Sequence, residues 1–312
     1  SKKMNKSCKV LVLGGSGFIG ANVSRWLRNA GFQVVSFDRV IPEQKYDGIE
    51  YVAGDFFDDE TLDKILCDKD VVLHSLSTLN PGNSNTFFFR GYSLDFVQTV
   101  KLFEKASRMG TRVIFFSSAG TVYGRYDGAP FDETHALRPI NHYGSLKVCI
   151  ETAMRSFNEQ QGGHLLSCRI TNPYGPGQDF RKGVGFIDAA LRHSLEGTEL
   201  EIWGDGEVVR DYLYIEDLCR MIEKLITYDG PYHVFNLGTG VGVSQNKIIE
   251  VIRNLGLNPK VRYLAARNVD ARINLVNTSR ISELMQSQCL SIDEGIERYL
   301  GTLVHNMEAA SK

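Results

Sequence analysis

Tyr143 and Lys147 stand four residues apart in Tyr143-Gly144-Ser145-Leu146-Lys147. On a helix that spacing puts both side chains on one face, about 6 Å apart. An ammonium beside a phenol favours the phenolate, so the pair is suited to take a proton from a hydroxyl and return it. The same spacing also occurs on solvated helix faces, so its surroundings decide its meaning. Upstream, Ser117-Ser118-Ala119-Gly120-Thr121-Val122-Tyr123-Gly124 closes a β-rich run. Hydroxyls at the C-terminal end of a parallel strand face the crevice where α/β proteins bind ligands.

A second group of residues is suited to a phosphate. Gly14-Gly15-Ser16-Gly17-Phe18-Ile19-Gly20 lies between a strand pattern and a helix pattern. Glycines there allow a tight turn, close approach of a pyrophosphate and close helix–strand packing. The first turn of the helix, with Gly17, Phe18 and Ile19, then offers N–H groups and the positive end of its dipole to the anion. Asp38 ends the next strand pattern, 24 residues beyond Gly14. An acid at that place suits a ribose diol and repels a 2′-phosphate, favouring NAD over NADP. Arg39 beside it weakens that preference. Asp55, in Gly54-Asp55-Phe56, is suited to accept from an adenine amino group or to cap a turn. Phe56 and Leu76, after the third and fourth strand patterns, are further candidates to line the cofactor, as is Ser117 after the fifth.

The elements that position these groups follow from hydrophobic patterning. Lys9–Leu13, Gln33–Phe37, Ile49–Ala53, Val71–His74 and Arg112–Phe116 are short apolar or alternating runs. Helical spacing separates them: Phe18–Ala30 stopped by Gly31, a stretch near Asp59–Leu66, and Tyr92–Met109. Strand–helix alternation with short connections predicts an α/β, doubly wound parallel sheet of Rossmann type. The second half is more mixed, with turns at Asn172–Gly177 and strands near Leu200–Trp203 and Asp211–Tyr214. Helices are predicted at Tyr143–Gln161, Ile215–Ile226, Ser244–Leu255 and the C-terminus. We expect an NAD-binding part over residues 4–171 and a smaller α/β substrate lobe over 172–312, interwoven with the sheet.

The 312 residues carry 35 Lys and Arg against 37 Asp and Glu, which argues against broad nucleic-acid binding. No apolar run approaches the length of a membrane span. No signal-peptide core follows Met4, which reads as the initiator behind a three-residue Ser1–Lys3 remnant of expression. The six scattered cysteines read as free thiols of a cytoplasmic protein. No histidine or cysteine spacing suggests a metal site.

Taken in order, the motifs resemble the extended short-chain dehydrogenase/reductases, and within them the nucleotide-sugar 4-epimerases. The matching pieces are GGSGFIG at 14–20, Asp38, GD at 54–55, SSAGTVYG at 117–124, YGSLK at 143–147, NPYGPGQ at 172–178, IWGDGEVVRDYLYIEDL at 202–218, FNLGTG at 235–240 and R-x-x-D at 267–270. The resemblance implies NAD as cofactor and a UDP-sugar as substrate, with Tyr143 as acid/base and Lys147 on the nicotinamide ribose. It implies diphosphate contacts from Asn172, Arg210 and Arg267, a ribose contact from Asp270, and Trp203 packed beside the uracil. It implies a homodimer through a four-helix interface of Tyr92–Met109 and Tyr143–Gln161, for which Leu94, Val97, Leu102 and Phe103 offer an apolar face. Enzymes of this kind serve galactose use or surface polysaccharide assembly.

The chain departs from the family pattern at four places. The assisting hydroxyl is replaced by Ala119, leaving Ser118 or Thr121 to supply that hydrogen bond. No acid follows Ala119, so a 4,6-dehydratase is disfavoured. An asparagine and an aspartate of the pattern are Asp95 and Asn277 here. Asn274 stands where members restricted to unacetylated sugars carry tyrosine, which implies room for an N-acetyl group and hence UDP-GlcNAc/UDP-GalNAc and/or UDP-Glc/UDP-Gal as the substrate pair. The alternatives are a nucleotide-4-keto-sugar reductase consuming NAD(P)H, which Arg39 keeps open, and a non-catalytic NAD-binding protein, which Ala119 keeps open. Phe87–Phe89 read as core or interface, His74 as a packed core histidine, and Cys149 and Cys168 as structural thiols.

Overall fold

The computed structural model describes residues 7–125, 129–178, 185–266 and 272–312. The chain runs β1 (Lys9–Leu13), α1 (Phe18–Asn29), β2 (Gln33–Asp38), β3 (Ile49–Ala53), α2 (Asp59–Leu66), β4 (Val71–His74) and α3 (Phe88–Arg90). A single wide turn, Gly91–Asp95, leads into α4 (Phe96–Met109), then β5 (Arg112–Ser118), α5 (Ala119–Val122), α6 (His142–Gln161) and β6 (His164–Ile170). There follow β7 (Asn172–Tyr174), α7 (Phe186–Glu196), β8 (Glu199–Trp203), β9 (Val209–Arg210), β10 (Tyr212–Tyr214), α8 (Ile215–Ile226) and β11 (Val234–Leu237). The chain closes with β12 (Val243–Ser244), α9 (Gln245–Asn254), β13 (Lys260–Leu264), β14 (Ile273–Asn274), α10 (Ser279–Leu284) and α11 (Ile292–Ala310).

The chain divides into two compact units. The first takes residues 1–124, 135–170 and 219–237, so it draws β11 from the second half of the sequence. Its seven-stranded sheet has the order β11-β6-β5-β4-β1-β2-β3, and every pair is parallel. This is the Rossmann order, reversing between β1 and β4, with one strand added. Leu11, Leu13, Phe37, Leu62, Leu102, Phe103, Val113 and Phe115 fill the core on one face. Each fully buried Leu or Phe is worth about 1.5–3 kcal/mol relative to exposure.

Leu102 and Phe103, expected on an outward face, are fully buried here. Leu94 and Val97, predicted on the same stripe, are each 45% exposed. Val97 and Leu102 are five positions apart on α4, about 140° around its axis at roughly 100° per residue, so they face different sides of the same helix. Phe88 stacks on His142, whereas Phe87 and Phe89 are exposed. His74 is buried as expected, between Phe56 and Phe115. Cys168 is buried and Cys149 half-buried, and all six cysteines are free thiols.

The second unit comprises residues 125–134, 171–218 and 238–312. It holds three small sheets: β7 with β10, β9 between β12 and β14, and β8 with β13. Leu191, Leu200, Ile202, Tyr214, Ile248, Ile252 and Tyr299 pack in its core. Among the described residues, no helix is long and apolar enough to cross a membrane.

Candidate active site

α6 brings the acid/base pair to the end of the sheet. Asn141 caps it: its side-chain oxygen accepts from the Gly144 N–H at 2.8 Å. Gly162 ends it in the left-handed region, at φ 64°. Tyr143 and Lys147 share a face as predicted, with Lys147 Nζ 4.9 Å from the Tyr143 ring centroid. The same ammonium lies 5.1 Å from the centroid of Phe115 on β5. Lys147 is buried, and among the described residues no carboxylate pairs with it. Burying a cation is costly, and the faces of the two rings offset part of that cost. Burial and then the Lys147 ammonium push the His74 imidazole down to about 3. His74 Nε2 meets Thr99 Oγ1 at 2.8 Å.

The candidate assisting hydroxyls lie at the start of α5 and within it. Gly144 lets α6 approach α5: a Cβ there would lie 2.4 Å from the Thr121 carbonyl oxygen. Thr121 Oγ1 is buried and has no protein partner. Ser118 precedes α5 without capping it through its side chain. Ser117, expected at the cofactor, turns inward: its hydroxyl donates to Glu151 at 2.7 Å, so this side chain is not offered to a ligand.

The glycine loop fits a dinucleotide. A Cβ at Gly20 would lie 2.1 Å from the Gly14 carbonyl oxygen, so only glycine lets α1 start this close to β1. Gly17 begins α1 with no side-chain cap, and no acid stands in the first turn, where Phe18 and Ile19 lie. That leaves a positive helix end open to an anion. Asp38 accepts from the N–H of Ser16 at 3.0 Å and of Arg39 at 2.8 Å, which fixes its carboxylate beside the loop. Arg39 is exposed. Asp55 accepts from the Phe57 N–H at 2.9 Å, a turn role that leaves its second oxygen available. Phe56, expected at the cofactor, is instead buried in the core, its side chain against Phe57 and His74. Leu76 is partly buried on the edge of the same core.

The substrate-side candidates lie in the second unit. Asn172 donates its side-chain N–H to the Asp211 carbonyl at 2.8 Å, which sets the orientation of its amide. Arg210 donates to the Val209 carbonyl and is the register partner of Asn274 on β14. Trp203 ends β8 and is 43% exposed. Arg267 and Asp270 lie outside the described residues. A cavity of about 190 Å³ is lined by Asn172, Tyr174, Gln178, Phe186, Asp188 and Tyr212. Burial pushes the Asp188 carboxyl up to about 6, against a hydrogen bond from Tyr299. Among the described residues, no group of three or more His, Cys, Asp or Glu side chains is placed to hold a metal.

Sequence reasoning missed Asp211, Asp188, Glu151 and Arg169. Asp211 accepts from Thr239 N–H and Oγ1 and from the Gly240 N–H, tying the Asn172 segment to the 239–240 loop. The available signal was an ionisable residue inside an apolar run, as in Leu166-Ser167-Cys168-Arg169-Ile170 or Phe186-Ile187-Asp188-Ala189.

Residues 10–238 match the model of the NAD dependent epimerase/dehydratase family. The dTDP-4-dehydro-6-deoxyglucose reductase of Escherichia coli is 30% identical over 308 residues, covering 94% of this chain and 97% of that protein. The UDP-glucose 4-epimerase of Thermotoga maritima, solved with UDP-glucose, has a TM-score of 0.88 and 27% identity, over 96% of this chain and 99% of that one. The UDP-N-acetylglucosamine 4-epimerase of Methanobrevibacter ruminantium, solved with UDP-N-acetylmuramic acid, has a TM-score of 0.88 and 25% identity, over 97% and 100%.

Proposed function

This chain belongs to the NAD dependent epimerase/dehydratase family, and we propose that it interconverts a UDP-hexose with its 4-epimer. When bound, NAD supplies reversible acceptance and return of a hydride. Tyr143 takes the proton from the sugar 4-hydroxyl as C4 becomes a carbonyl, and gives it back when C4 is reduced from its other face. Lys147 keeps positive charge beside the phenol and holds the nicotinamide ribose. Thr121 or Ser118 donates to the 4-oxygen, and the unpartnered Thr121 hydroxyl supports that role. The open end of α1 receives the pyrophosphate, and Asp38 the adenosine ribose.

The observation that carries the reading is the buried Lys147 ammonium against the Tyr143 ring, with no carboxylate of the described residues to neutralise it. Asn172 and Arg210 hold the sugar-nucleotide diphosphate, together with Arg267, while Asp270 meets the ribose and Trp203 the base. Asn274, the register partner of Arg210, is smaller than the tyrosine of members restricted to unacetylated sugars, which supports UDP-GlcNAc and UDP-GalNAc as substrates, with or without UDP-glucose and UDP-galactose. The protein works as a homodimer through α6, α4 and the wide turn before α4, where Val97 and Leu94 are exposed. The free thiols suit a cytoplasmic site.

A second reading is a 4-keto-sugar reductase. Ala119 lacks the expected hydroxyl, and the Escherichia coli relative bears a reductase name. Chromatography of UDP-GlcNAc incubated with purified protein separates the two. A UDP-GalNAc peak without net NADH supports the epimerase. No product from UDP-GlcNAc or UDP-glucose with NAD supplied, and NADH consumption with a 4-keto sugar, would replace it with the reductase.

A further inference from the structure

A buried ion pair lies beneath the acid/base pair, and the reaction itself does not use it. Glu151 is four residues beyond Lys147 and eight beyond Tyr143, on the same face of α6. Its side chain and that of Arg169 on β6 are each 5% exposed. Arg169 donates from Nε and Nη2 to Glu151 Oε1, at 3.0 and 2.8 Å. Ser117, at the end of β5, donates its hydroxyl to Glu151 Oε2 at 2.7 Å. Arg169 Nη1 donates to the Tyr123 hydroxyl at 3.0 Å, and that hydroxyl donates to Asn236 Oδ1 on β11. Ser117, Arg169 and Asn236 are register partners, so they form one polar row across three neighbouring strands.

Such a pair is a weak source of stability. Removing two charges from water offsets most of their attraction, and apolar replacements of similar size are often neutral or stabilising. A bidentate, fully enclosed contact does fix distance and direction. Ser117 is followed directly by Ser118, and Thr121 lies three residues further on, in α5. Glu151 belongs to the helix that carries Tyr143 and Lys147. One carboxylate therefore joins the strand end bearing the hydroxyls to the helix bearing the phenol and the ammonium. We propose that Glu151, Arg169 and Ser117 are positioning residues that set Tyr143 and Lys147 in register with Ser118 and Thr121 for turnover. This role rests on the function proposed above.

The test uses the full chain loaded with NAD. Glu151→Met with Arg169→Met removes both charges and fills the space with unbranched apolar side chains; Ser117→Ala removes one anchor, and Ser117→Thr restores its hydroxyl. The folded double variant is expected to keep its unfolding temperature and KM while kcat falls about 30-fold or more. Ser117→Ala is expected to lower kcat about 3- to 10-fold at constant KM, with Ser117→Thr recovering most of it. A folded double variant whose kcat matches the parent overturns the positioning role alone. If the double variant does not fold, an unchanged kcat in Ser117→Ala overturns it. A parent protein inactive on both UDP-GlcNAc and UDP-glucose overturns the proposed function and this role with it.

Discussion

Replacing Gly144 by alanine tests whether the distance between α6 and the Thr121 turn governs catalysis. A Cβ at Gly144 would lie 2.4 Å from the Thr121 carbonyl oxygen, 3.0 Å from its carbon and 3.1 Å from Pro139 Cβ. Ordinary contact begins at 3.4 Å, so the two segments must part by 1.0 Å, the difference between 3.4 and 2.4 Å. Two of the three obstacles are backbone atoms and cannot rotate away. Tyr143 is the adjacent residue and moves with the helix. A misplacement of about 1 Å costs roughly 100-fold in rate, or about 2.7 kcal/mol of barrier. Alanine orders less chain entropy than glycine, a gain of at most about 1 kcal/mol, which offsets part of the roughly 1–3 kcal/mol that overpacking costs. Stability and activity should therefore separate: a modestly lowered unfolding temperature with kcat down about 100-fold. The measurement pairs thermal unfolding with UDP-sugar interconversion followed by chromatography. A folded variant with kcat within about threefold of the parent would refute the reasoning.

Other perturbations have equally definite outcomes. Burial holds the folded-state pKa of His74 at about 3, below its unfolded value. Below pH ~6.5 the unfolded chain binds a proton that the folded chain refuses, so His74 costs about 1.4 kcal/mol of stability per pH unit down to its folded pKa. Denaturant titrations at pH 7 and pH 5 should show about 2 kcal/mol more loss in the parent than in His74→Gln; equal losses would exclude the effect. Asp38→Ser, with Arg39 retained, should shift cofactor preference toward NADP by about tenfold or more in binding titrations, and an unchanged ratio would remove Asp38 from the ribose site. Asn274→Tyr should raise KM for UDP-GlcNAc about tenfold or more while sparing UDP-glucose; equal effects on both would reject the N-acetyl assignment. Light scattering should give a dimer mass that falls to a monomer in Leu94→Glu with Val97→Glu, whereas a monomeric parent would dismiss the interface.

The fold was legible wherever local pattern and burial agree. Lys9–Leu13 and Arg112–Phe116 are apolar because parallel strands are covered on both faces, and Gly31, Gly110 and Gly162 follow helices as stops. Leu94, Val97, Leu102 and Phe103 do not form one stripe, because Val97 lies about 140° from Leu102 around α4 and only the Leu102–Phe103 side packs into the core. Asp95 itself is buried because Ser77 and Thr78, 18 and 17 residues earlier, donate to it. The loop glycines and the Tyr143–Lys147 pair were legible because their chemistry needs a fixed local spacing. The inward turn of the Ser117 hydroxyl was not legible, because its direction depends on Glu151, 34 residues away. The burial of the Phe56 ring was not legible, because its neighbour Asp55 is exposed.

The origin of β11 bears on how the chain is made. β6 ends at Ile170, and its outer neighbour begins only at Val234. During synthesis at ~5–20 residues per second, the intervening stretch of about 63 residues takes roughly 3–13 s to emerge. Through that interval the strand His-Leu-Leu-Ser-Cys-Arg-Ile presents unpaired amides and carbonyls on an apolar edge, a template for association with other nascent chains. Arg169 also waits for the Tyr123–Asn236 contact that completes its shell. A fragment cut at Ile170 keeps that raw edge permanently, so a self-sufficient nucleotide-binding half has to be made by grafting Val234–Leu237 back onto β6 rather than by truncation.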